Sequence, residues 1–476
     1  MAPEVAQKSL EHIDARAVAS GLVERGRAAM VAFENTDQAR IDEAVTALAW
    51  SIYKPERAQE LAELAVLDTG LGNVASKITK NTRKTFGTLR DLMRAKTTGI
   101  IEEVPAKGLV KYAKPVGVVA AVCPSTNPAA TPVNKAMMAV KGGNAVVIAP
   151  SPAGYATTAL TVDYMRAELE RSGHPQDLVQ ILPAPVSKEL TQALMEVADL
   201  VVCTGSQNNV RRAYSSGTVA IGVGAGNVPV IIDSSADLDA AAEKICASKI
   251  FDNATSCSSE NSVIILDDVY DDAIAALERT GGYRTTADEK QKVIDTLWSD
   301  GHLNRRVIAK DASVFAEAAD LAPEAKSKKF FLVEDDAIGS EHPLADEKLS
   351  LVLTVYRARD FDDAKAKVRQ VLQVKGLGHS CGIHTGDMNH ARALAEDLEV
   401  VRVLVNQAHT FGNGGGFDSG LNFTLSMGCG TWAGNSISEN LNYRHFINIT
   451  HLVTTIPEDK PSEEDLFGAY WDKYGT

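Results

Sequence analysis

Between residues 116 and 250 the chain alternates short, largely apolar runs with longer helical ones, and this alternation limits the fold more than any other feature. The apolar runs cover 116–122, 145–148, 179–182, 200–202 and 228–232, with helical stretches such as 156–171 between them. Strands that are largely apolar must be covered on both faces, which predicts a parallel sheet flanked by helices. Ligands bind such sheets at the carboxyl ends of the strands. The alternation resumes after residue 257, with strands expected near 263–266, 350–356, 381–384 and 403–405. A second α/β domain is therefore expected, facing the first across a cleft. The length of 476 residues accommodates two or three such cores.

The flanks read differently. Ile41, Val45, Leu48 and Ile52 share one helical face, and Pro55 with Glu56 suits the first turn of another helix that stops at 69–73. These are read as packing helices without chemistry. From Gly99 two short strands surround a turn at 105–108, a hairpin whose free edge calls for a cover, by the same chain or a second subunit. The tail from Pro457 is acidic, then aromatic at Phe467, Tyr470, Trp471 and Tyr474, which predicts that it docks.

A net charge of −14 argues against nucleic acid or an anionic membrane as the main partner. No apolar run reaches membrane-spanning length, and residues 1–11 lack the apolar core of a signal peptide. Six cysteines without a CxxC pair fit reduced thiols in a cytoplasmic compartment.

Cys257 stands out among them. It lies in 251–261, a stretch of mostly small polar residues before the apolar run 263–266, where turn N–H groups can stabilise a thiolate or an oxyanion. Other strand ends offer complementary groups. Asn127 follows the first strand and carries an amide able to donate to an oxyanion. Ser151 and Pro152 follow the second, where an adenosine ribose commonly sits, and Gly205 with Ser206 precedes a helix whose first N–H groups suit a phosphate. Gly222–Gly226, with Gly224 at its centre, has GxGxG spacing and runs into a strand, so it reads as a tight passage beside a reactive group and not a dinucleotide fingerprint. His379 lies in a segment with no complete ligand set, and no metal is expected. The donor-rich loop 406–416, with His409 and Thr410, can form an anion nest. Singly, each has a plainer reading as a core cysteine, a turn asparagine or a glycine connector.

Six motifs in order make a combined signal: PSTNPAA (124–130), AYSSGTVAIGVGAGNVPVIID (213–233), FDNATSCSSENS (251–262), EKLS (347–350), GHSCGIHT (378–385) and MGCGTWAGNSISEN (427–440). Over nearly its whole length the chain resembles the aldehyde dehydrogenase superfamily, and within it the coenzyme-A-acylating branch. The resemblance implies two doubly wound α/β domains facing a cleft plus a small β oligomerisation element. The expected division is 1–99 with 113–250 for nucleotide binding, 251–425 for catalysis, and 100–112 with 426–476 for oligomerisation. It implies Cys257 as nucleophile, Asn127 as oxyanion donor, Glu347 on the nicotinamide ribose and His379 assisting thiol exchange.

Hydrolytic members carry a glutamate in a Glu-Leu-Gly-Gly-Lys motif, whereas 222–226 here holds no carboxylate. Without that base the thioester waits for coenzyme A. NADP should be accepted as well as NAD, because no acidic residue follows the second strand and Ser151 can donate to a 2′-phosphate. A homodimer or a tetramer of dimers is expected. The sequence, including its PSEEDLFG tail (461–468), resembles the acylating sulfoacetaldehyde dehydrogenases most. Succinate semialdehyde and acetaldehyde or propionaldehyde are the alternative substrates, with either reaction direction open. A hydrolytic dehydrogenase, a glutamyl-phosphate-type reductase and a non-enzymatic scaffold are the alternative functions.

Overall fold

The computed structural model describes residues 14–34 and 36–475. Its first sheet is parallel and five-stranded, in the order Val179–Ile181, Ala145–Ala149, Val118–Val122, Leu200–Thr204 and Ala220–Val223. Both central strands are buried at every residue, as their continuous apolar sequence requires. Successive strands leave Val118–Val122 first to one side and then, with Leu200–Thr204, to the other. This reversal opens a crevice at the carboxyl edge, the usual ligand position in an open α/β sheet. The N-terminal helices Ala15–Phe33, Gln38–Tyr53 and Pro55–Thr69 lie over this half of the molecule. Asp14 and Asp37 cap the first two, Pro55 opens the third, and Gly70 ends it at φ 67°, a left-handed position that suits glycine.

The second sheet is also parallel, with seven strands in the order Gly282–Arg284, Phe330–Glu334, Val352–Ala358, Glu260–Leu266, Val228–Ile232, Cys381–His384 and Val403–Val405. Val228–Ile232, expected in the first sheet, thus belongs to the second, between the strand after Cys257 and the strand after His379. The chain changes sheets at 224–227, not at 250. Apolarity declares a strand central without declaring to which sheet, so the expected boundary fell a strand and a helix too late. Phe330–Glu334, Ala220–Val223 and Gly282–Arg284 are further strands that the sequence reading did not separate.

A three-stranded antiparallel sheet joins Gly99–Val104, Leu109–Pro115 and Ile447–Val453, so the chain's own tail covers one edge of the hairpin. The tail then forms the helix Glu463–Tyr474, started by a Ser462–Asp465 capping box. Only Gly468 of this helix is buried, and Leu466, Phe467, Tyr470 and Tyr474 are exposed. The expected docking does not occur on the described residues of the helix's own chain. Among the described residues no helix is long and apolar enough to cross a membrane.

Candidate active site

The helix Leu238–Ile250 delivers the chain into a turn in which Asp252, Asn253 and Ala254 all have positive φ, 50°, 52° and 60°. For L residues this conformation costs about 1 kcal/mol or more each. Asp252 supplies the offset. Its carboxylate accepts from the Asn73 N–H at 2.9 Å, Lys77 Nζ at 3.1 Å, Lys80 Nζ at 2.5 Å and Thr255 Oγ1 at 2.8 Å. Burial opposes ionisation, yet the ammonium groups of Lys80 and Lys77 hold Asp252 below the ordinary carboxylate range. Burial and the adjacent Lys80 bring Lys77 down to about 8.

The turn leaves Cys257 partly exposed between Ser256 and Ser258. Gly226 passes it closely: a Cβ there would lie 2.6 Å from the Cys257 carbonyl carbon and 2.8 Å from its Cβ. The glycine passage expected beside a reactive group therefore touches Cys257 through Gly226. Gly224 packs on Cys429 and donates its N–H to Asn435 at 3.0 Å. Burial pushes the Cys257 thiol up to about 12, with the Glu347 carboxylate and Cys429 adding to the shift. The resting sulfur is therefore a thiol, and its proton must leave before it attacks.

Asn127 lines a cavity with Ser256 and Ser258. Its Nδ2 makes only a long 3.4 Å contact to Thr126 Oγ1, and its Oδ1 is buried without a partner, so the amide is free to donate. Glu347 is buried, 3.5 Å from Lys375 Nζ, and raised to about 7 by desolvation. The Asn261 side chain accepts from the Lys348 N–H at 2.9 Å, tying that segment to the strand behind Cys257. His379 is buried, with Nδ1 2.7 Å from Ser380 Oγ and Nε2 unpartnered. Burial and the Arg402 guanidinium keep it far below the usual imidazole range, hence neutral. Arg402 donates to the His379 carbonyl at 3.0 Å and bears electrostatically on Cys257.

The remaining predicted residues divide between the two sides of the cleft. Asn127, Ser151–Pro152 and Gly205–Ser206 follow three adjacent strands at the carboxyl edge of the first sheet, around its crevice. Ser206 Oγ accepts from the Asn209 N–H at 3.3 Å and so caps the helix Gln207–Tyr214, while Ser151 begins the turn Pro152–Gly154. Thr410 lines the cavity, its Oγ1 buried without a partner. His409 stands behind it, its Nδ1 2.9 Å from the Ser258 carbonyl, and burial lowers it to about 4. The expected anion nest is modified: Gly414 presents its carbonyl, which Lys84 Nζ meets at 2.8 Å.

The cavity, roughly 460 Å³ when the space open to solvent is counted, has a wall of cations, Lys80, Arg83 and Lys84. These lie on a π-helical turn, Lys80–Lys84, which follows the helices read above as mere packing. π-turns inside helices are frequent at functional sites. A signal was present: residues 70–90 hold five basic residues and no acidic one, in a chain of net charge −14. Among the described residues no group of three or more His, Cys, Asp or Glu side chains is placed to hold a metal ion.

The sequence profile of the aldehyde dehydrogenase family matches residues 8–422. The chain belongs to the aldehyde dehydrogenase family. Among relatives of this aldehyde dehydrogenase, the acylating sulfoacetaldehyde dehydrogenase of Cupriavidus necator is 52% identical over 97% of this chain and 94% of its own. That of Bilophila wadsworthia is 43% identical over 95% of this chain and 98% of its own. The crystal structure of an acetylating aldehyde dehydrogenase from Geobacillus thermoglucosidasius superposes with a TM-score of 0.91 at 34% identity, over 95% of this chain and 100% of that one. The expected fold, two parallel α/β sheets of the aldehyde dehydrogenase kind with a small antiparallel element, is the observed one.

Proposed function

We propose that this aldehyde dehydrogenase oxidises sulfoacetaldehyde with NADP or NAD and transfers the acyl group to coenzyme A. The observation that carries the reading is the cation-walled cavity at the Cys257 turn, reached by Asn127 and Thr410. A small aldehyde with an anionic end fits a site of that sign, and the two curated relatives above are acylating sulfoacetaldehyde dehydrogenases.

Cys257, once deprotonated, adds to the aldehyde carbon, and the new oxyanion lies toward Asn127 Nδ2 and the Cys257 N–H. The nicotinamide nucleotide, when bound, accepts the hydride. The residues at the crevice of the first sheet would hold it: Ser151 and Pro152 would contact its ribose, and the first N–H groups of Gln207–Tyr214 would donate to its phosphates. Glu347 would accept from the nicotinamide ribose. In the resulting thioester no carboxylate from 222–226 is present to activate water. Coenzyme A is then the acceptor: its thiol sulfur bonds to the acyl carbon, the Cys257 sulfur leaves, and the coenzyme proton is released. His379 is neutral with a free Nε2, as a group assisting that proton transfer must be.

Sulfoacetaldehyde, succinate semialdehyde and acetaldehyde, each assayed with both nucleotides and with and without coenzyme A, test the reading. Sulfoacetaldehyde should give the highest kcat/KM, and only with coenzyme A present. Acetaldehyde winning defeats the anionic substrate, and equal turnover without coenzyme A defeats the acylating reaction.

The reading keeps a three-part division as its proposal, with the boundary between nucleotide-binding and catalytic parts at 224–227, where the chain changes sheets. A homodimer, or a tetramer of dimers, would cover the exposed aromatic face of Glu463–Tyr474 and the outer strands of the three-stranded sheet. Six free cysteines fit a reducing cytoplasm.

A further inference from the structure

The three cations of the cavity wall are not equivalent. Lys80 is engaged by Asp252 at 2.5 Å and Thr255 at 2.8 Å. Lys84 donates to the Gly414 carbonyl at 2.8 Å, and burial together with Arg83 and Lys80 brings it down to about 7. Arg83 is engaged by neither kind of partner. Its Nη1 is buried without a hydrogen-bond partner, and no carboxylate of the described residues lies within 4.0 Å of it. Its nearest neighbours are aromatic, the guanidinium carbon standing 5.4 Å from the Phe411 ring centre, 5.7 Å from Phe417 and 5.3 Å from Phe423, while the Asp418 carboxylate acts on it electrostatically without an ion-pair contact. Such a box holds a planar cation in place without satisfying its N–H groups. Phe411 and Arg83 both line the cavity, together with Ser256 and Ser258 on either side of Cys257.

We propose that Arg83 is the specificity-determining residue of this enzyme, its guanidinium donating through Nη1 to the anionic end of the substrate while Cys257 meets the aldehyde end. This rests on the sulfonate-substrate reading above and names the group that would select for it. A guanidinium is charged at every working pH and pairs its fork with two oxygens, whereas a neutral aldehyde of the same length would leave that buried donor unsatisfied. Selectivity thus arises from one wall of the cavity, apart from the bond-making groups.

Arg83→Gln and Arg83→Lys test it, with sulfoacetaldehyde and propionaldehyde as substrates and ethanesulfonate as a competitive inhibitor of propionaldehyde oxidation. Arg83→Gln should lose about 100-fold in kcat/KM for sulfoacetaldehyde, chiefly through KM, and stay within threefold for propionaldehyde. Arg83→Lys should recover part of the loss. Ethanesulfonate should inhibit the wild-type enzyme and not Arg83→Gln. An equal fall for both aldehydes would show a structural role, and unchanged sulfoacetaldehyde kinetics would show no role; either overturns the proposal. Should the wild-type enzyme not favour sulfoacetaldehyde, the substrate reading fails alone. Ethanesulfonate then decides Arg83, which stands if inhibition is lost in Arg83→Gln and falls if inhibition is absent or persists.

Discussion

Gly226→Ala probes how much catalysis depends on the placement of Cys257. The added methyl carbon would stand 2.6 Å from the Cys257 carbonyl carbon and 2.8 Å from its Cβ. Carbon atoms in ordinary contact keep at least ~3.5 Å, and the methyl would overlap the Cys257 carbonyl oxygen more severely still, so one segment must retreat by at least about 1 Å. Gly226 has no positive φ, so the effect is steric and not a backbone strain in the alanine itself. Both segments lead into paired central strands of the second sheet, so the shift falls on the loops before them and displaces Cys257 relative to the rest of the site. A misplacement of about 1 Å at the reacting atom costs on the order of 100-fold in rate, or ~2.7 kcal/mol in the barrier. Gly224→Ala is the internal control, because its methyl would meet Cys429 Sγ at 3.2 Å and Ala433 Cβ at 3.4 Å, contacts relieved by a few tenths of an ångström. Single-turnover formation of reduced nucleotide should fall about 100-fold in Gly226→Ala and only a few-fold in Gly224→Ala. Alkylation of Cys257 followed by mass spectrometry reports the position of the sulfur independently of turnover. If Gly226→Ala keeps both its single-turnover rate and its alkylation rate within threefold of wild type, the close approach does not set the position of the nucleophile.

Cys257→Ala should abolish aldehyde oxidation while nucleotide binding, followed by fluorescence titration, stays nearly intact; substantial residual turnover would remove Cys257 from its role. The Cys257 thiol is raised to about 12, so it is neutral at pH 7 and its thiolate fraction grows about tenfold per pH unit. Alkylation of the nucleotide-free enzyme should therefore climb log-linearly from pH 7 to 10, and a plateau below pH 8.5 would refute the burial argument. Asp252→Asn leaves Lys77 and Lys80 buried without their counter-charge and should destabilise the protein by about 3–5 kcal/mol, read from urea denaturation; a loss under about 1 kcal/mol would deny the ion triad its role in holding the turn. Removal of 457–476 should lower the mass seen by light scattering at micromolar concentration, and a full-length monomer would refute the oligomeric reading.

What the sequence disclosed and what it withheld follow from the range of the interactions concerned. Helix faces such as Ile41, Val45, Leu48 and Ile52 are local patterns, and all four residues are buried as read. So is the apolar run 145–148, which becomes the buried strand Ala145–Ala149. Sheet membership is not local. Val228–Ile232 carries the same apolar signature as Ala145–Ala149 yet pairs with Glu260–Leu266, because hydrogen-bonding partners are chosen after the chain has crossed between the two cores. The cavity wall was hidden for the same reason. Lys77 and Lys80 meet Asp252 across 175 and 172 residues, and Lys84 meets Gly414 across 330. On one helix they read as an ordinary solvated charge run, the usual fate of such residues. Only the acid-free stretch 70–90 departed from that expectation, since exposed lysines on a helix are normally interleaved with carboxylates. A basic run without acids, in an acidic chain, takes its counter-charges from elsewhere. Here one is Asp252, which braces the nucleophile's turn, and the unclaimed guanidinium of Arg83 is left for the substrate.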